Sequence, residues 1–296
     1  MVEATYARLG YIDEKATVFV LRVAFAFLAA ASLFALVATL THIKVANTAA
    51  TYVTALSAII NAVAAWHYNE IVKVRAGQPI TVDSEWMIDA LRCVAKHPRL
   101  QPPSPTPASK PRPPPHGPRP LENGRRHSDW AVTMPMLVLK LYALINNPEH
   151  DLLLGSVDVS ALCATLMILL GAYSRLGLDE LYNYKGMSRV GFAVGILAYL
   201  GSVALLVLLL VDLANAYSGV ENATTLVFAF FLVWPGYALV TFVAIWFRQS
   251  AITERYPKDI ALAKDVCFAA LDVFSKAVFA WHSCSAAFGV QVLGSR

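Results

Sequence analysis

Apolar residues run along this chain in long blocks, separated mostly by short polar breaks. Seven blocks can be read, near Ala16–Leu40, Ala49–Val72, Asp129–Ile145, Leu152–Tyr173, Val190–Ala214, Thr225–Phe247 and Ala261–Val292. Each approaches or exceeds the ~20 residues a helix needs to cross a hydrocarbon core. Backbone groups in lipid must be satisfied within their own segment, so every block predicts a helix. No ten-residue alternation points to a membrane barrel. The N-terminus lacks a basic start, short apolar core and cleavage site, so the first block reads as a resident helix rather than a removed signal. The expected fold is an all-α membrane protein: one seven-transmembrane-helix bundle over residues 1–296, multi-pass in a lipid bilayer.

Composition agrees. The 296 residues are 57% hydrophobic and 15% charged, with a mean hydropathy of +0.53. A soluble domain carries about 25% charged residues, so this chain cannot cover a water-facing surface. Lysine and arginine outnumber acids 24 to 20, too small an excess for a nucleic-acid partner. Cys93, Cys163, Cys267 and Cys284 fit neither a disulfide framework nor a zinc spacing, and no metal site is expected.

One connection breaks the pattern. More than fifty residues separate the second and third blocks, and residues 101–120 hold ten of the sixteen prolines. With Lys110, Arg112 and Arg119 interspersed, this composition favours extended, disordered chain, and residues 93–126 read as a Pro-rich disordered insertion. An alternative is that the stretch is an artefact of gene prediction. Its removal would join Arg92 to His127, with Arg92 taking the place of Arg126.

Charges inside a bilayer cost ~2.5–3.5 kcal/mol on insertion scales, which makes each a functional candidate. Lys276 lies about 15 residues from either end of the seventh block, roughly 22 Å at 1.5 Å per residue, too far for its stem to snorkel to water. Asp272 precedes it by four residues on the same face. Such a pair is either a plain ion pair or a covalent imine with its counterion. In the third block Asp129 and Thr133 are four apart, and Lys140 follows Asp129 by eleven residues, three turns or ~16 Å along one face. Arg126 begins the same stripe. Both Arg126 and Lys140 also admit a reading as interfacial anchors; Asp129 does not. His67, at the end of the second block, is either a packed side chain or the partner of a buried carboxylate, sharing its proton.

The combination of Arg126-x-x-Asp129-Trp130-x-x-Thr133-x-Pro135 with Asp272-x-x-x-Lys276 resembles the microbial (type I) rhodopsins, most closely the proteorhodopsin and xanthorhodopsin-like branch. Trp66-His67-Tyr68, the Gly171…Gly177 spacing and Phe192-x-x-Gly195-x-x-Ala198-Tyr199 are similar to that branch too. The resemblance covers all seven blocks. It implies a bundle with all-trans retinal in its core, held on Lys276 as a protonated Schiff base. It further implies Asp129 as counterion and proton acceptor, Asp272 as second counterion and His67 as the acceptor's partner. Arg126 would polarise the exit path and Thr133 would hydrogen-bond Asp129. Trp130, Met134, Pro135, Leu137, Phe231, Trp234 and Pro235 would line the retinal.

Lys140 occupies the position where pumps of this family usually carry the acid that returns a proton to the Schiff base, so the triplet is Asp-Thr-Lys. A small set of relatives uses lysine there and pumps. Desolvation opposes the charge of a lysine in an apolar channel, so it would donate only after water protonates it. Leu137 matches the green-absorbing form of the family. Phe192 fills the place of a glycine in carotenoid-binding relatives, which disfavours a carotenoid antenna. Aligned on Pro235, the sixth block has Phe231 for the usual pocket tryptophan, Trp234 for the usual tyrosine and Ala238 for a further aromatic.

The implied function is a light-driven proton pump, not an enzyme in the metabolic sense, with self-association into a homo-oligomer expected. The alternative is a light sensor or slow photoswitch without net transport, suggested by Lys140 and the altered sixth block. A channel is third, because Asp129, Thr133 and Lys140 give no continuous polar lining. Orientation is contested. Let side A be the side of the N-terminus; it carries nineteen basic residues against two on side B. Positive loops stay cytoplasmic, whereas the family places the N-terminus outside, and the family orientation is adopted here. Asn222-Ala223-Thr224 on side B is a glycosylation acceptor only if that side is luminal.

Overall fold

The computed structural model describes residues 14–44, 47–75, 121–144, 154–183, 189–217, 224–247 and 257–285. These form α1 (Glu14–Lys44), α2 (Thr48–Arg75), α3 (Leu121–Ala143), α4 (Val157–Asn183), α5 (Arg189–Ala216), α6 (Thr224–Phe247) and α7. The last begins as Pro257–Asp272, widens into a π-helical turn at Val273–Val278 and continues through 279–285. Each helix packs on its chain neighbours, and α7 packs on both α6 and α1, so the seven close into a ring in sequence order.

The ring is apolar outside and polar inside. Phe19, Phe27, Leu33, Leu197, Leu232, Leu239 and Trp281 are exposed, while Arg126, Asp129, Lys140, Asp212, Asp265, Asp272 and Lys276 are buried. Water as solvent would select the reverse. Among the described residues, four segments are long and apolar enough to cross a membrane by length and composition: Ala16–Lys44, Thr48–Lys73, Val157–Ser174 and Ala193–Ala216. In α6 the apolar described stretch is the shorter Leu232–Val243. Helices α3 and α7 carry most of the buried charges, which lowers their mean apolarity without moving them out of the bundle.

The expected third block begins too late. Its helix starts at Leu121, eight residues before Asp129, because Arg126, His127 and Ser128 turn inward and are buried there. Inward-facing polar residues, not apolar composition, set that boundary. The Pro-rich stretch 93–126 lies outside the described residues as far as 120, and its last six residues open α3.

Local signals fix the ends at side B. Asn47 caps α2 by accepting from the Ala50 N–H at 3.0 Å, and Asn47 N–H itself donates to His42 O. Before α4, Gly155 takes a positive φ of 80°, the region open to glycine without strain. Ser156 then accepts from Val159 N–H, three residues on, as an N-cap does. Asp212 of α5 ties these turns together. Its carboxylate accepts from Tyr142 Oη, from Ser160 Oγ at 2.7 Å and from the Leu154 N–H at 3.1 Å. One buried anion thus joins α3, α4 and α5. Nearby helices approach closely at small residues: a Cβ on Gly171 would stand 3.3 Å from Ser202 Oγ, and one on Gly201 3.3 Å from Leu170.

Candidate functional site

Two carboxylates and two cations meet in the middle of the ring. Lys276 lies inside the π turn, where Phe279 N–H reaches back five residues to Phe274 O. Such a turn is a frequent mark of a functional position. Lys276 Nζ donates to Asp129 Oδ2 at 2.6 Å and stands 3.2 Å from Asp272 Oδ1. All three side chains are at most 2% exposed. Asp129 of α3 thus stands beside Asp272 and Lys276 of α7.

The two aspartates are held differently. Asp272 Oδ2 accepts from Tyr68 Oη at 2.8 Å; Oδ1 accepts from Tyr237 Oη at 2.8 Å and Trp130 Nε1 at 3.1 Å. Arg126 Nη1 lies 3.7 Å from the same carboxylate. Asp129 has the Lys276 contact alone, and its Oδ1 is buried without a hydrogen-bond partner among the described residues. Asp272 is therefore pinned by three donors, while Asp129 keeps a lone pair open.

Arg126 sits on the side A flank. Nη1 donates to Tyr68 Oη at 3.0 Å, Nη2 lies 3.6 Å from Asp265 Oδ1, and the guanidinium rests over the Tyr68 and Phe268 rings. Replacing one partner of such a buried network costs about 3–5 kcal/mol.

Other expected residues are placed otherwise. His67 is buried, but its Nδ1 pairs with Val63 O of its own helix at 3.0 Å and its ring meets Trp66 edge-on. Among the described residues no hydrogen bond joins it to Asp129. Thr133 Oγ1 donates to the backbone carbonyl of Asp129 at 3.0 Å rather than to the carboxylate, the ordinary reach of a helical threonine to the previous turn. Lys140 is buried on side B with Nζ 4.3 Å from the Phe279 ring centroid, so it is not an interfacial anchor.

A cavity opens beside Trp130 and Tyr237, bounded by α3, α4, α5 and α6. Of the expected retinal contacts, Trp130, Met134 and Trp234 line it; Met167, Gly171, Tyr199, Ser202, Ala238 and Thr241 complete much of its wall. Leu137 is buried in the adjoining core, and Pro135 and Pro235 are half-buried off the wall. The side chains of Phe231 and Phe192 lie outside the described residues.

Helix α6 requires a correction of register. Aligned on Pro235, Trp234 stands for the tyrosine. Yet the phenol that reaches Asp272 is Tyr237, and Trp234 lines the cavity. The tryptophan-x-x-tyrosine spacing survives one turn later, and the proline is what shifted; the further aromatic then falls at Thr241. Tyr68, Tyr237 and Asp265 were not among the expected site residues. Asp265 was legible, being seven residues before Asp272 and so on the same face of α7.

The sequence model described as bacteriorhodopsin-like protein matches residues 13–289. No curated protein matches the sequence. Among solved structures the fold is similar to Exiguobacterium sibiricum rhodopsin (TM-score 0.58, 16% identity, 94% of this chain and 98% of that one). It is similar to the light-driven proton pump Coccomyxa subellipsoidea rhodopsin (0.55, 17%, 90% and 95%). It is also similar to xanthorhodopsin, a light-driven ion pump with dual chromophore (0.54, 17%, 93% and 92%).

Proposed function

Because the chain belongs to the bacteriorhodopsin-like family, whose chromophore is retinal, we propose that it is a light-driven proton pump in which Asp129 accepts the proton leaving Lys276. The residues present fit that chromophore. Trp130 and Tyr237 both line the cavity and both bond Asp272, the carboxylate that stands 3.2 Å from Lys276 Nζ. The walls are aromatic and apolar, with Gly171 and Ala238 leaving room. Held on Lys276, all-trans retinal would supply a light-absorbing cation, with Asp129 and Asp272 balancing its charge and the Nζ proton facing Asp129.

The observation that carries the reading is the asymmetry of the two aspartates. Asp272 is bound by two phenols and an indole and stays the permanent counterion. Asp129 faces the same proton at 2.6 Å with one oxygen unpartnered, so it is the group free to take it. Arg126, held between Asp272 and Asp265, draws the proton's onward path toward side A. With the N-terminus outside, that path is export. Lys140, in the donor position, faces the return path from side B. His67, whose Nδ1 is engaged by Val63 O, would tune Asp129 through its other ring nitrogen, Nε2.

Cells making the protein with added retinal, illuminated in unbuffered medium, test the reading. A sustained light-induced pH change, abolished by a protonophore, is expected, and tag accessibility on intact cells fixes its direction. A coloured protein with no net pH change and a cycle lasting seconds would instead make it a light sensor or slow photoswitch, the reading that Lys140 in place of an acid supports.

A further inference from the structure

Most of the cavity wall is apolar, and its polar groups fall into two sets. In the first, Trp130 Nε1 and Tyr237 Oη both bond Asp272, and the His127 ring lies 5.2 Å from that of Trp130. The second is made of three hydroxyls on α5 and α6. Ser202 Oγ donates to Met167 O of α4 at 2.8 Å, Tyr199 Oη to Ala238 O of α6 at 3.2 Å, and Thr241 Oγ1 to Tyr237 O at 2.8 Å. Ser202 Oγ stands at the α4–α5 seam, 3.3 Å from where a Cβ on Gly171 would be. Tyr199 and Thr241 use the carbonyls of two successive α6 residues. Thr241 also stands where the spacing in α6 places a further aromatic, so a small polar side chain replaces a ring there.

A hydroxyl has one proton to donate and two lone pairs that accept. Ser202, Tyr199 and Thr241 have each committed that proton to a backbone carbonyl. What they still offer is acceptors only. Attachment decides which part of a chromophore meets them. Its aldehyde carbon condenses with Lys276 Nζ, losing one water, and the ring at the opposite end of the molecule is left unreacted. Helix α7 packs on α6, α1 and α2, whereas Gly171 and Ser202 lie on α4 and α5, so the ring end falls to the wall that carries the hydroxyls. We propose that the cavity takes a retinal hydroxylated on its ring, whose O–H donates to the hydroxyl oxygens of α5 and α6. This rests on the retinal-binding reading above and names the chemical class of the chromophore.

Plain retinal also fits, because the three hydroxyls keep their backbone bonds when an apolar ring lies against them. What the hydroxyls add is a preference. One net hydrogen bond corresponds to roughly three- to tenfold in an equilibrium. A ring ketone of the same size has no proton to give, meets lone pairs alone and loses its own hydration, so it should bind less well than plain retinal.

Competition for the full chain reads this preference without any transport. Membranes holding the protein made without chromophore receive equal amounts of all-trans retinal and one ring-modified aldehyde. The bound pair is then released under denaturing conditions with hydroxylamine and quantified as oximes. The 3-hydroxy or the 4-hydroxy compound should exceed retinal by roughly three- to tenfold, and the 4-oxo compound should fall below it. Tyr199→Phe, Ser202→Ala and Thr241→Val should each bring the hydroxy-to-plain ratio toward one. Both aldehydes compete for the same molecules, so a variant that folds poorly lowers both alike and leaves the ratio readable. Hydroxy compounds bound no better than retinal, as when water alone meets the lone pairs, overturn the proposal. So does a 4-oxo compound bound as well as the hydroxy ones, or a preference unchanged in all three variants. If no aldehyde gives a coloured protein, retinal included, the retinal reading itself falls and this proposal with it.

Discussion

Neutralising each aspartate in turn separates the roles of two carboxylates that look alike in sequence. At an effective dielectric of ~20, charges 2.6 Å and 3.2 Å apart attract by about 6 and 5 kcal/mol. Asp129→Asn therefore removes about half of the gross attraction on Lys276, leaving Asp272 in place. The net cost to folding is smaller, because the amide oxygen still accepts a hydrogen bond. Asp272→Asn takes away the other half and also weakens three hydrogen bonds, from Tyr68, Trp130 and Tyr237. At about 1.5–3 kcal/mol for each bond to a charged group, the loss rivals the typical 5–15 kcal/mol stability of a whole domain. The expected outcome is an Asp129→Asn protein that folds and takes up retinal with a changed colour but gives no light-induced acidification or alkalinisation. Asp272→Asn should yield little pigment, bleaching at markedly lower temperature. Absorbance during heating and pH recording under illumination measure the two effects. Near-normal pumping by Asp129→Asn, or a robust coloured Asp272→Asn beside a bleached Asp129→Asn, would refute the reasoning.

Three further outcomes follow from contacts elsewhere. Tyr237→Phe should weaken the hold on Asp272 by about 1.5–3 kcal/mol, seen as a lower bleaching temperature and a shifted absorption maximum. Asp212→Ala strands Tyr142, Ser160 and the Leu154 N–H, and should destabilise by about 2–5 kcal/mol; its absorption maximum should not move, because none of those partners lines the cavity. A Cβ on Gly236 would stand 2.8 Å from Leu271 Cδ2, the end of a flexible side chain, so Gly236→Ala should be mild. Gly236→Val should cost about 1–3 kcal/mol of thermal stability by overpacking.

The bundle and its central charges were legible because the bilayer enforces them: long apolar blocks read as helices, and Lys276 and Asp129 have no inexpensive alternative placement. What the sequence concealed was register and partner choice. The beginning of α3 was hidden because apolar composition starts only at Asp129, whereas the helix runs back past Arg126 to Leu121. In α6 the proline was a poor ruler; a proline can slide by one turn if the aromatic pair keeps its three-residue spacing. His67 was placed in the right helix, yet a ring's bonding partner depends on a side-chain rotation that no spacing encodes.

The π turn at Val273–Val278 bears on how this helix tolerates change. Consecutive residues of an α-helix are rotated by about 100°, and a wide turn absorbs one extra residue. The portion holding Asp265 and Asp272 and the portion holding Phe279 and Cys284 are consequently out of phase by that angle, each aimed at its own neighbours. Deleting a single residue between 273 and 278 would let the backbone relax into a plain helix, yet swing the far portion away from α3. Length in this segment, beside the identity of Lys276, is thus what keeps the two portions on their own neighbours.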